Sequence, residues 1–252
     1  MEILEYVGLL AAAFAAGAIN AVAGGGSLIS FPALIAFGFV SKTANVTNTV
    51  ALWPGYVGGS FGYREELRRQ RRRLLALLPP CVAGALVGSV VLLSTPESAF
   101  DAIVPFMILF ACALMAFQDR LASFALAHRV SSQGDHVPLP LLAATFVMAI
   151  YGAYFGAGLG IVMLGFLSIL LPDDIQHSNA LKGMLSLIIN AVAVMYFVAF
   201  GPVRWTAVLV MGTGAVAGGY LGVGVARGLG RTWLRVAVIS YGLVVVVLLL
   251  VR

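Results

Sequence analysis

The sequence predicts an all-α membrane protein of eight transmembrane helices, arranged as two repeats of four with the first and fifth helices broken. Three observations carry this. Hydrophobic residues make up 61% of the chain and charged residues 10%, against about 25% charged in a soluble domain. The apolar residues gather into eight long runs, most near the ~20 residues a helix needs to cross a bilayer. The two halves of the chain also match each other at one fixed offset.

The runs cover residues 4–37, 43–62, 74–94, 97–118, 138–171, 174–200, 204–226 and 231–251. The first and fifth exceed thirty residues. As straight helices they would span about 50 Å, against an apolar core of about 30 Å. Each holds a glycine cluster part-way along: Gly24-Gly25-Gly26, and Gly156-Ala157-Gly158-Leu159-Gly160. Each is therefore expected to break there.

At an offset of 134 residues the halves align without a gap. Ala23-Gly24 and Gly26 fall on Ala157-Gly158 and Gly160, and Asn45 falls on Asn179. Val82-Ala83-Gly84 and Gly88 fall on Val216-Ala217-Gly218 and Gly222. Apolar coincidences are common in membrane helices, whereas matched glycines and a matched intramembrane Asn are not. The repeats are expected over 1–118 and 138–252, joined by a polar cytoplasmic linker over 119–137. Transporters are commonly built from such repeats, with substrate at their interface.

Basic residues set the topology. Arg64, Arg68, Arg69, Arg71, Arg72 and Arg73 crowd the turn after the second run, which places it in the cytoplasm. Eight crossings then put both termini in the cytoplasm of a multi-pass inner-membrane protein. Arg227, Arg231 and Arg235 dissent, because this arrangement leaves them outside. Four crossings per half make the repeats parallel. Two crossings within each broken segment would invert them and remove the dissent. The parallel arrangement is the expectation. The N-terminus carries Glu2 and Glu5 and no basic region, so a cleaved signal is not expected. Cys81 and Cys112 lie in apolar runs and read as buried free thiols.

Lys182 leads the candidate site residues, because a charge inside a membrane segment costs about 2.5–3.5 kcal/mol on insertion scales. It can attract an anion, or it can snorkel to a headgroup. Asn45 and Asn48 share a helical face, and Asn179 and Lys182 are their mates at the same spacing. Their amides can donate to anion oxygens or bind helix to helix. Ser186 and Asn190 lie one and two turns beyond Lys182. At the first break, Gly24, Gly25 and Gly26 free backbone N–H groups, with Ser27 as a cap and Asn20 one turn before it. Gly158 and Gly160 do the same at the second break. Helix N-termini inside a membrane favour anions. Gly84-xxx-Gly88 and Gly218-xxx-Gly222 read as helix-packing faces.

The absences exclude other classes. No Asp or Glu lies deep in a run, as a proton-coupled pump or a cation channel would require. There is no P-loop and no repeated His/Cys cluster. Enzymatic activity, cofactors and nucleic-acid binding are not expected.

The stretches GAINAVAGGGSLISFPAL and ANVTNTVALWPGYVGGSFGYREEL resemble the first half of the sulfite exporter TauE/SafE family. YGAYFGAGLGIVML, SNALKG and VAGGYLG resemble its second half. The resemblance implies a duplicated four-span transporter, an exporter of small sulfur-containing anions such as sulfite, thiosulfate or organosulfonates. It also implies that Asn45, Asn48, Asn179 and Lys182 occupy the family's motif positions. The expected partners are that anion and the lipid bilayer, with homo-oligomerisation open. Two other classes stay open: an anion channel, and a non-transporting subunit that anchors a soluble enzyme through the Arg-rich turn.

Overall fold

The computed structural model describes residues 3–22, 25–61, 64–127, 137–171, 175–229 and 231–251, and every regular element among them is an α-helix. The first half supplies α1 (Ile3–Val22), α2 (Ser27–Ala36), α3 (Ser41–Phe61), a short α4 (Arg64–Arg69), α5 (Arg71–Ser94) and α6 (Glu97–Ala127). The second supplies α7 (Leu139–Tyr154), α8 (Leu159–Leu170), α9 (Ile175–Phe200), α10 (Trp205–Leu229) and α11 (Arg231–Val251). Among the described residues, four stretches are long and apolar enough to cross a bilayer: Arg71–Ser94, Glu97–Phe124, His177–Phe200 and Trp233–Val251. Leu4–Asn20, Ser27–Ala36, Leu139–Tyr154, Leu159–Leu170 and Trp205–Leu221 are shorter apolar helices. Large apolar side chains such as Leu209, Tyr220, Trp233 and Val251 face outward, as lipid contact requires and water does not allow. The chain is a multi-pass membrane protein.

Both over-long runs divide at their glycines, and the first division is a reversal. A Cβ on Gly26 would overlap the carbonyl oxygen of Ala16, and one on Gly8 would overlap the Phe37 ring. Residues 26 to 37 therefore run back down along residues 16 to 8, and α2 lies antiparallel to α1. Gly25 makes the turn at φ +90°, a backbone region that residues with a Cβ rarely enter.

Cross-helix contacts fix the remaining directions. Leu10 and Phe14 of α1 approach Gly214 and Gly218 of α10, so these two run together. Phe146 and Ile150 of α7 approach Gly84 and Gly88 of α5 in the same way. The glycine motifs do pack helices, through Gly84, Gly88 and Gly218; the surroundings of Gly222 fall outside what is described. Arg204 N donates to Thr47 Oγ1 at 3.2 Å, and Gly212 lies near Ala51, which aligns α10 with α3. Gln70 Nε2 donates to His177 O at 3.1 Å and Cys81 Sγ to Leu185 O at 3.7 Å, which aligns α5 with α9. By contrast α3 and α9 are antiparallel: Val46 approaches Gly201 while Trp53 Nε1 donates to Leu187 O at 3.4 Å. α6 and α11 are antiparallel too, with Asp119 on Arg235 at 2.6 Å and Cys112 on Gly242.

These directions correct two expectations. α1, α3 and α10 point one way, and α5, α7 and α9 the other. The helices that the 134-residue offset pairs, α1 with α7, α3 with α9, α5 with α10 and α6 with α11, thus run oppositely and not in parallel. The reason is the reversal at Gly25: the first run, counted as one crossing, goes out and back, so the half holds an odd number of passes. α1 also begins, and α11 ends, at the end of the bundle opposite the Arg-rich α4. The step from eight crossings to termini on the Arg-rich face fails for the same reason. Arg120 and Arg235 share the Arg-rich end with α4, while Lys42 and Arg204 lie at the other. Of the linker assigned to 119–137, residues 119–127 continue α6, and 128–136 lie outside the described residues.

Over its described side chains α3 is less apolar than the other membrane helices. Its first turns carry Ser41, Asn45, Thr47 and Asn48, all buried. It sits among α9, α10, α6 and α2, so protein surrounds the polar face that lipid would reject.

Candidate functional site

The two breaks are built differently. At the first, Gly26 takes the N-cap of α2 in a helical conformation, so its own N–H needs an acceptor. Asn20 Oδ1 supplies it at 2.7 Å. This corrects the assignment of the cap to Ser27, which is the first residue inside α2. Gly24 lies outside the described residues. Replacing Asn20 by alanine is expected to cost about 1 kcal/mol, as for a lost cap. Thermal unfolding in detergent should show it, with Asn20→Asp, which keeps the acceptor, near the parent.

At the second break Gly156 and Gly158 both adopt φ +77°, and Gly158 forms the N-cap of α8. Two side chains brace it. Tyr151 Oη donates to Ala157 O. Asn45 Nδ2, on α3, donates to Tyr154 O at 2.8 Å, satisfying a carbonyl that the end of α7 leaves open. Asn45 is 2% exposed and its amide is committed to the scaffold. Asn190 is likewise committed, since its Nδ2 donates to Ser186 O at 2.8 Å. That is one turn back along its own helix.

Lys182 reaches the same break from α9. It stands seven residues past the start of α9, about 10 Å along the axis. Its Cδ passes 3.6 Å from where a Cβ on Gly160 would stand. The lysine stem therefore lies along the first turn of α8. The lysine is half-buried and makes no hydrogen bond or ion pair with a described residue. Gly160 is the second residue of α8, and the first four N–H groups of a helix have no partner within it. The helix dipole adds roughly half a positive charge at that end. A half-buried ammonium and a helix N-terminus thus converge, with no Asp or Glu within α8 or α9. Two positive ends placed together in a medium of low dielectric repel unless an anion joins them.

The other candidates distribute around this centre. Asn48, the offset mate of Lys182, is 3% exposed, and its Oδ1 has no hydrogen-bond partner among the described residues. Asn179 is half-buried three residues before Lys182, and Ser186 is buried one turn after it. Trp53 and Leu187 are offset mates in direct contact. Asn48 and Lys182 each precede that crossing by five residues, on helices that run oppositely. Their backbones therefore stand on opposite sides of it, each about 7 Å away along its own axis. Asn45 braces the α7 end of the second break and Lys182 lines its α8 end, and the backbones of Asn45 and Asn48 both stand across the crossing from that of Lys182. Sequence reasoning missed Ser178, whose Oγ is fully buried and has no hydrogen-bond partner among the described residues. A serine in an apolar helix gives no signal of that kind by itself.

The chain is 26% identical over 231 residues to a "Probable membrane transporter protein" of Haemophilus influenzae, covering 92% of this chain and 89% of that one. It is 28% identical over 221 residues to "Probable membrane transporter protein ORF9" of Sinorhizobium sp., covering 85% and 80%. No solved structure matches it. The family model "Sulfite exporter TauE/SafE" matches residues 9–249, and the chain belongs to that family.

Proposed function

We propose that the protein is a secondary transporter that exports a small sulfur-containing anion across the inner membrane. The substrate, sulfite, thiosulfate or an organosulfonate, sits between the two halves at Lys182 and the N-terminus of α8. One observation carries this reading: the Lys182 stem lies along the first turn of α8 with no acidic partner. Family membership supplies the sulfur chemistry, and the bare positive centre supports an anion. The architecture is read as an inverted repeat, with the α1–α2 and α7–α8 hairpins each opening one half. Inverted repeats with binding at discontinuous helices are a recurrent transporter design, and access alternates when one half rocks against the other. The potential of a negative cell interior drives an anion outward.

The Arg-rich end of the bundle is the cytoplasmic face under the positive-inside rule. α1 then begins and α11 ends at the outer face, and Arg235 no longer dissents. Ser98 and Ser123 are exposed near opposite ends of α6, and Cys81 and Cys112 are buried. An impermeant maleimide applied to intact cells is expected to label Ser98→Cys and spare Ser123→Cys. The reverse pattern would invert the assignment. The function itself is tested by uptake of labelled sulfite and thiosulfate into proteoliposomes. Saturable flux that depends on Lys182 supports the reading, and flux indifferent to Lys182→Ala removes the proposed site.

A further inference from the structure

Ser178 stands one turn nearer the Arg-rich end than Lys182. The spacing of four places both on one face of α9. Its hydroxyl is 0% exposed and has no hydrogen-bond partner among the described residues. A buried polar group left without a partner is rare and costly, so the hydroxyl is suited to a partner that comes and goes. In the first half the offset mates of Ser178 and Lys182 are Ala44 and Asn48. The chemistry is therefore confined to one face of one helix.

We infer that Ser178 Oγ and Lys182 Nζ are two ligands of one site, and that this site takes a singly charged oxyanion in preference to a dianion. The inference rests on Lys182 being the substrate-binding charge. Charge matching carries the selectivity. Lys182 brings one formal positive charge, and the α8 N-terminus adds about half of one. Arg73, buried on α5 near Gln70, already has a partner. No Asp or Glu lies in this part of α9 or in α8. A monoanion such as a sulfonate or hydrogensulfite leaves the site close to neutral. Sulfate or thiosulfate leaves excess negative charge away from water, and a buried charge without compensation is heavily penalised. Ser178 supplies a donor to a second oxygen, and it can equally accept from the O–H of a protonated anion.

Methanesulfonate and sulfate separate the possibilities, because they are similar in shape and differ in charge at every accessible pH. Labelled methanesulfonate counterflow in proteoliposomes is expected to be inhibited by unlabelled methanesulfonate at concentrations at least tenfold below those of sulfate. Ser178→Ala is expected to raise the half-saturating methanesulfonate concentration about ten- to a hundredfold, the range for hydrogen bonds to a charged group. Melting in the absence of substrate should stay near the parent's. If Ser178→Ala does not yield folded protein, Ser178→Cys, a similar volume with a poor donor, carries the same expectation. Equal potency of sulfate, with both fluxes dependent on Lys182, overturns the charge selectivity and leaves the Lys182 site standing. Unchanged methanesulfonate affinity in the Ser178 variant overturns its role as ligand. Flux of both anions that ignores Lys182→Ala overturns the reading beneath it.

Discussion

Replacing Gly218 by alanine is expected to lower the stability of the fold by about 1–3 kcal/mol, the usual cost of forcing atoms into a packed interface, and valine by more. The added Cβ would overlap the carbonyl oxygen of Phe14 on α1. Backbone cannot step aside as the end of a flexible side chain can, so the whole α1–α10 contact must open. Gly17 across the interface is equally tight, its Cβ position overlapping the carbonyl of Ala215. Gly84 meets Phe146 O in the same manner where α5 packs on α7. Gly84→Ala is therefore expected to match Gly218→Ala in size, and the double variant to approach the sum, since the two contacts share no partner. Thermal melting in detergent measures this. An unchanged melting temperature in Gly218→Ala would mean that α1 and α10 do not touch through this face.

Lys182→Ala is expected to weaken anion binding by about 2–5 kcal/mol, the range for removing one member of a buried hydrogen-bonded charge pair. That is roughly a 30-fold to several-thousandfold loss of affinity. Stability should move the other way or stay level. The ammonium is half-buried without a partner among the described residues, and inserting such a charge costs about 2.5–3.5 kcal/mol. Deleting it removes that cost. Loss of flux with a melting temperature equal to or above the parent's distinguishes a ligand from a structural residue. A fall in melting temperature with flux intact would make Lys182 a support of the α8–α9 packing. Lys182→Gln, which keeps most of the length and loses the charge, is expected to behave as alanine does.

Much of the helical organisation was legible because glycine clusters and apolar runs are physical statements about a chain in lipid. Three consecutive glycines inside an over-long run cannot continue a helix cheaply, and the chain does leave the helix there. Whether it then bends or reverses was not legible. Hydropathy records depth and carries no direction, and the reversal depends on how closely Gly26 can approach Ala16. One trace of it was present: Arg227, Arg231 and Arg235 stood on the wrong side of the eight-crossing arrangement. α3 was legible as a run of suitable length, yet its buried polar face depends on neighbours that only the folded chain supplies.

The candidate site divides along a similar line. Lys182 was legible because an isolated charge in an apolar segment is conspicuous by its cost. The asparagines were not separable by type. Asn45 and Asn48 differ by three positions, yet one braces Tyr154 and the other leaves its Oδ1 without a partner among the described residues. Asn20 became a backbone acceptor because the turn at Gly25 brings Gly26 back to it.

The central place of α3 bears on how the protein is made. α3 emerges from the ribosome early, and two of its main neighbours, α9 and α10, come from the other half of the chain. α1 waits likewise for α10, and α5 for α7. Until more than two thirds of the polypeptide has been synthesised, a weakly hydrophobic helix with its Asn and Thr side chains uncovered must be held at the insertion machinery. A nascent chain stalled after α6 displays that face to quality-control proteases.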